Sequence, residues 1–142
     1  MTGVQTCALP IWRTLLHAAA VCQASTAPEV LTCLVTFGAD VNAVDNEWKT
    51  PLALACLAGL EANVKTLLVL EASPQVTDMD ARTPLHEAAM AGNVELAKVL
   101  LAAGASVDAA IKEGWNDIKE GMTPRDIAVL KAHAEVTALL PG

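Results

Sequence analysis

The chain has 142 residues and a mass of 14.8 kDa, room for one domain, and 54% of it is hydrophobic while only 3% is aromatic. A core of Ala, Leu and Val suits thin helices stacked closely, and no stretch approaches about eighteen apolar residues without a charge or a breaker, so no membrane-spanning helix is expected. The net charge is −7, and the nine Lys and Arg are scattered singly, which argues against a surface that tracks nucleic-acid phosphates.

Taken in order, residues 1–11, MTGVQTCALPI, carry neither a secretory signal nor the pattern found further on. The string resembles the translation of a common sequencing adapter, and a non-native or disordered segment is expected there. Thr14-Leu15-Leu16-His17-Ala18-Ala19 then opens a helix, and a second helix is predicted roughly from Pro28 to Phe37. This first helix pair begins with apolar faces and no polar cap. The expectation is therefore a stretch of a larger multidomain protein, with a free-standing adaptor or inhibitor as the other reading and an enzyme component as a third.

Thr50-Pro51-Leu52 starts the next pair, and Thr83-Pro84-Leu85-His86 the one after. Threonine can cap orphan amides, and proline fits the first helical position, where no donor is needed. Gly92 ends the first helix of the third pair; its second helix, Val94 to Ala103, places Leu96, Val99, Leu100 and Ala103 at helical spacing. Residues Thr123-Pro124 and Leu139-Leu140 close the series. Thr83, Pro84, Leu85, Ala88 and Gly92 stand 33 residues after Thr50, Pro51, Leu52, Ala55 and Gly59. The last copy follows after 40 residues and the first precedes by 36, so three extra residues fall in Cys22 to Ala27 and seven between Gly104 and Thr123. Turn-rich segments separate the copies: Asp40 to Lys49, Ser73 to Arg82 and the longer Ala109 to Gly121.

With TPLHxAA, the glycine turn, VxxLL and GADVNA all present, the chain resembles the ankyrin repeat family from Arg13 to Leu140. The resemblance implies an all-α solenoid of about four helix-turn-helix repeats with protruding hairpin fingers. The expected domain runs over residues 12–142, with repeats at roughly 12–44, 45–77, 78–117 and 118–142. It also implies a protein-protein interaction module without chemistry of its own, binding through its concave face and finger tips. The finger positions on that surface are Asn46, Glu47, Lys49, Met79, Asp80, Arg82, Lys119, Glu120 and Met122. Inner-helix positions Leu57, Ala58, Met90, Ala91, Leu130 and Lys131 would line it, with Leu57, Met90 and Leu130 as an apolar row. Trp48 stands where the family usually has a glycine, and Trp115 lies in the long insertion. Both are candidate anchors, since exposed Trp joins large apolar area to one donor; each ring could instead fold back over its own repeat.

No catalytic constellation is present: His17, His86 and His133 are spread over three repeats, and there is neither a nucleophile elbow nor a phosphate-cradling loop. The resemblance implies that His17 and His86 hydrogen-bond to threonine and neighbouring backbone, while His133 is expected to be solvated. Asp40, Asp45, Asp78, Asp80 and Asp108 do not fit the spacing of a calcium loop and are read as turn formers. No catalytic residue, cofactor or metal is expected. Cys7, Cys22, Cys33 and Cys56 form no CxxC pair and are read as buried free thiols in a reducing intracellular compartment, cytoplasmic or nuclear. Charged Arg125, Asp126, Lys131 and Glu135 are expected on the outward side of a capping last repeat. The expected partner is a protein or peptide, with no nucleic acid, membrane or small-molecule substrate, and the chain is expected to be a monomer.

Overall fold

The computed structural model describes residues 15–114 and 116–141. The readings that fall on residues 1–14 and on Trp115 lie outside the described residues. Among those described there are eight helices: α1 (residues 15–20), α2 (Ala27–Thr36), α3 (Pro51–Ala58), α4 (Glu61–Val69), α5 (Pro84–Ala91), α6 (Val94–Ala102), α7 (Pro124–Leu130) and α8 (Ala134–Leu139). The only β-type pairing is an isolated bridge at Ile118.

Local chemistry explains where the helices start and stop. Thr50, Thr83 and Thr123 hold extended backbone just before α3, α5 and α7, and proline follows each. The Thr50 hydroxyl accepts the Ala53 N–H at 3.2 Å, and the Thr123 hydroxyl accepts that of Asp126 at 3.3 Å. Asp126 returns the bond by accepting the Thr123 N–H at 2.9 Å, a capping box. Gly59 and Gly92 end α3 and α5 at φ 73° and 69°, a left-handed conformation that costs glycine nothing sterically.

The chain divides into two compact units, Met1–Ser73 and Pro74–Gly142. In the first, α4 packs against α2 and α3, and Leu16, Leu31, Leu52, Val64 and Leu67 are fully buried. In the second, α5 packs on α6 and α7, and α8 on α6 and α7, around Leu85, Leu96, Leu100, Ile127 and Val136. Each such side chain contributes roughly 1.5–3 kcal/mol by leaving water. Polar tethers recur at the repeat period. The Asn42 side-chain oxygen accepts the Ser73 N–H at 2.8 Å; 33 residues on, the Gln75 side-chain oxygen accepts the Ser106 N–H at 3.0 Å.

Several expectations are corrected here. In α6 the buried line is Leu96, Ala97 and Leu100, while Ala103 caps the helix and is exposed, because the chain has left helical geometry at that point. Cys22 and Cys33 are exposed and only Cys56 of the described cysteines is buried. Cys33 lies two residues past buried Leu31, about 200° around the helix, so α2 turns it away from the core. His133 is half-buried rather than solvated: its Nε2 donates to the Met90 carbonyl at 3.2 Å, and its ring fills the space beside Gly92. Arg125 also turns inward, its Nη1 donating to the carbonyls of Thr137 (3.0 Å) and Leu140 (2.6 Å), the orphan acceptors at the end of α8.

Candidate functional site

Three turns project between the helix pairs, and the first two are built alike. The Asp45 N–H donates to the Lys49 carbonyl and the Trp48 N–H to the Asp45 carbonyl, both at 3.0 Å, while Asp45 Oδ1 accepts the N–H groups of Glu47 and Lys49 at 2.9 Å. At the same place in the next repeat, Asp78 makes the equivalent bonds with Arg82, Ala81 and Asp80. These aspartates therefore build turns. The fourth turn residue is left-handed in both, Trp48 at φ 62° and Ala81 at φ 63°. Such a backbone favours glycine, and the indole at Trp48 is 61% exposed, so it covers little of its own unit.

The third turn opens and closes on Ile111 and Met122: the Ile111 N–H donates to the Met122 carbonyl at 3.1 Å, and the Gly121 N–H to the Ile111 carbonyl at 2.9 Å. The extra residues, 112–121, lie inside that bracket. Lys112 donates its N–H to the Asp80 carbonyl at 2.8 Å, which ties the long turn to the preceding one within the second unit.

Among the candidate binding residues, the charged ones are largely paired with each other. Lys49 meets Glu47 at 2.6 Å, and Arg82 meets both Asp78 and Asp80 at 3.0 Å. Lys131 meets Asp117 at 2.8 Å, and this bond holds the Asp117 carboxyl below its ordinary pKa. Asn46 and Lys119 are exposed, as is Met79 at 62%. Leu57, at the end of α3 in the first unit, is exposed. In the second unit, Met90 is half-buried on α5, and Leu130 is exposed at the end of α7, which packs against α5.

Beside Leu130 an open pocket of about 470 Å³ is lined by Lys119, Glu120, Gly121, Met122, Asp126, Val129 and Leu130. Half-buried Met122 forms part of its wall and accepts the Lys119 N–H on its sulfur at 3.3 Å. Val129 is 57% exposed and was not among the residues singled out from the sequence. A signal existed: the equivalent residues Cys56 and Ala89 are small and fully buried, so a larger valine at that slot marks a change of role. Asp126 holds its carboxyl below the ordinary value because it accepts from the Thr123 backbone and hydroxyl.

The histidines are structural in geometry. His86 is fully buried; its Nδ1 accepts the Thr83 N–H at 3.0 Å and lies 2.9 Å from the Thr83 hydroxyl, leaving Nε2 to donate to the Met122 carbonyl at 3.3 Å. Burial drives its pKa down to about 4, against the opposing pull of the Met122 and Ala109 carbonyls. His17 repeats the reach in the first unit, with Nε2 donating to the Lys49 carbonyl at 2.9 Å. Each imidazole fastens one helix pair to the base of the following turn. Among the described residues no group of three His, Cys, Asp or Glu could hold a metal ion, and no helix is long and apolar enough to cross a membrane.

Capped helix pairs, projecting turns and histidine tethers repeated along the chain define a helical repeat scaffold. Residues 64–141 match the family model for ankyrin repeats in three copies, and residues 12–46 match a single ankyrin repeat. The first match alone spans more than half of the chain, which belongs to the ankyrin repeat family. No curated protein matches the chain. Ankyrin repeats are in general protein-protein interaction modules, and the family is generally non-enzymatic.

Proposed function

We propose that this chain binds another protein or a peptide through its projecting turns and the neighbouring inner-helix ends, whether alone or as a stretch of a longer protein. The observation that carries this reading is Trp48, a large aromatic side chain held 61% exposed on a left-handed backbone that favours glycine. An aromatic kept in a costly conformation with little of its own unit to cover is suited to meet something else. Exposed Met79 and Leu130 add apolar area, and the pairing of Lys49 and Arg82 with carboxylates leaves few cations for a phosphate backbone. Trp115, Met90 and Met122 complete the proposed surface. Free thiols at Cys22, Cys33 and Cys56 favour a reducing compartment inside the cell.

The test uses peptides selected from a random library on the immobilised 142-residue chain, then titrated in solution. Trp48→Ala and Met79→Ala should each weaken the selected peptides by about tenfold or more, as anchors do. Val69→Ala, at an 81% exposed position on the outer helix α4, should leave affinity unchanged. Equal loss at Val69, or no loss at Trp48 and Met79, would place the binding surface elsewhere.

A further inference from the structure

The first repeat exposes a face that every later repeat buries. Val30 on α2 is 44% exposed, whereas its equivalents are Asn63 at 3%, Leu96 at 0% and Val136 at 0%. Leu34 is half-buried where Leu67 and Leu100 are fully buried. On the inner helix, Leu15 is 45% exposed where Pro51, Pro84 and Pro124 are all buried. Ala18 is exposed where Glu87 and Ile127 are buried. Phe37, 75% exposed, extends the patch at the end of α2. None of these five residues is charged. A contiguous apolar patch on a chain with net charge −7 is a surface built to be covered.

The equivalences say what covers it. Within the second unit, α8, which carries Val136, packs against α6 of the repeat before it; within the first, α4, which carries Asn63, packs against α2. Asn63 also donates to the carbonyls of Ala20 and Cys22 at 3.0 and 2.9 Å. The uncovered face of the first repeat is thus a continuation of an interface the molecule already uses, and its complement is another ankyrin helix pair. Only fourteen residues precede Leu15, fewer than half of the 33-residue period, so the 142-residue chain cannot supply that pair itself.

We infer that the face formed by Leu15, Ala18, Val30, Leu34 and Phe37 pairs with the same face of a second copy, making a two-fold dimer in place of the monomer expected from the sequence. Head-to-tail stacking is disfavoured because the last repeat ends differently. Asp126 stands exposed at the position of buried His86, and its carboxylate lacks the ring nitrogen that reaches the following turn. Covering it would strip water from a charge. Head-to-tail contacts also propagate without closing, whereas like-to-like contact closes as a dimer.

Sedimentation velocity on the full chain over a wide concentration range, with reductant present so that Cys33 cannot form a disulfide, tests this. The expected result is a concentration-dependent dimer whose dissociation constant rises by at least about tenfold in Val30→Glu and in Phe37→Lys. Both positions are solvent-exposed, and unchanged circular-dichroism melts would establish that the variants are folded. A parallel run of residues 12–142 tests the chain's own N-terminal segment as the occupant. A monomer that dimerises only on removal of residues 1–11 would make that segment the cover and overturn the proposal. A monomer in both forms, longer polymers, or a dimer indifferent to both substitutions would overturn it as well.

Discussion

His86 carries no proton in the folded chain at neutral pH, because burial holds its pKa near 4 while an unfolded histidine titrates near 6.5. The unfolded chain therefore binds a proton first as the pH falls. Stability is fully present above pH 6.5 and is lost progressively down to about pH 4, by roughly 3 kcal/mol for this one group. Urea unfolding at intervals from pH 7 to 4.5 should show that slope, and His86→Asn should flatten it while lowering stability at pH 7. Asp126 and Asp117, whose carboxyls are held below their ordinary values, weaken the fold only as the pH drops below the carboxylate range, so they do not blur the histidine window. A slope unchanged in His86→Asn would assign the pH response to another group. Trp48 offers the opposite kind of test. Its left-handed backbone is strained for any residue with a Cβ, so Trp48→Gly should raise stability by up to about 1 kcal/mol in a denaturant titration. Lower stability would mean that the indole contributes packing worth more than the strain.

At the scale of helices and turns, the caps could be read directly, because threonine followed by proline and a glycine some eight residues later satisfy orphan backbone groups locally. The structure places Thr50, Thr83 and Thr123, with Gly59 and Gly92, in those roles. Which side of each helix faces inward was harder to read. α3 is Pro-Leu-Ala-Leu-Ala-Cys-Leu-Ala, apolar all round, so no polar stripe marks its phase, and α2 gave no warning that Cys33 would turn outward. His133 and Arg125 were misjudged for another reason: their partners are carbonyls far along the chain, brought within reach only by packing. The His133 ring makes Gly92 special among the left-handed glycines, since a Cβ there would lie 2.5 Å from its Nδ1, whereas a Cβ at Gly104 meets nothing within 4 Å. Gly104→Ala should therefore cost about 1 kcal/mol from backbone strain alone, and Gly92→Ala at least about twice that, compared by thermal or urea unfolding. Equal losses would show that the imidazole swings aside freely.

For the molecule as a whole, the 33-residue period carried the fold, because several independent signals recur in step and each repeat needs a neighbour to bury its helices. The binding surface was less accessible. Glu47, Lys49, Asp80 and Arg82 read as outward-facing charges, yet they neutralise one another across single turns, and only coordinates reveal such pairing. Lys98 and Lys131 are paired too, so much of the positive charge is spent internally and the outward field is acidic. Association with a basic peptide should consequently slow by roughly tenfold between about 0.05 and 0.5 M salt in stopped-flow measurements, while a neutral peptide of equal affinity should not. Salt-independent association of the basic peptide would remove the acidic field as a recognition element.

The long third turn also has a practical use. Ile111 and Met122 clasp each other through backbone bonds, and everything from 112 to 121 hangs from that clasp. The loop doubles back so tightly that a Cβ at Gly114 would strike the Ile118 carbonyl at 2.7 Å, which means it must be exchanged whole and not edited piecemeal. A foreign segment spliced between those two residues inherits a closed pair of ends. Doubling its length adds only about 0.6 kcal/mol of closure entropy. The position is thus a ready socket for displaying an epitope or a sensor peptide on a scaffold that keeps its own helices.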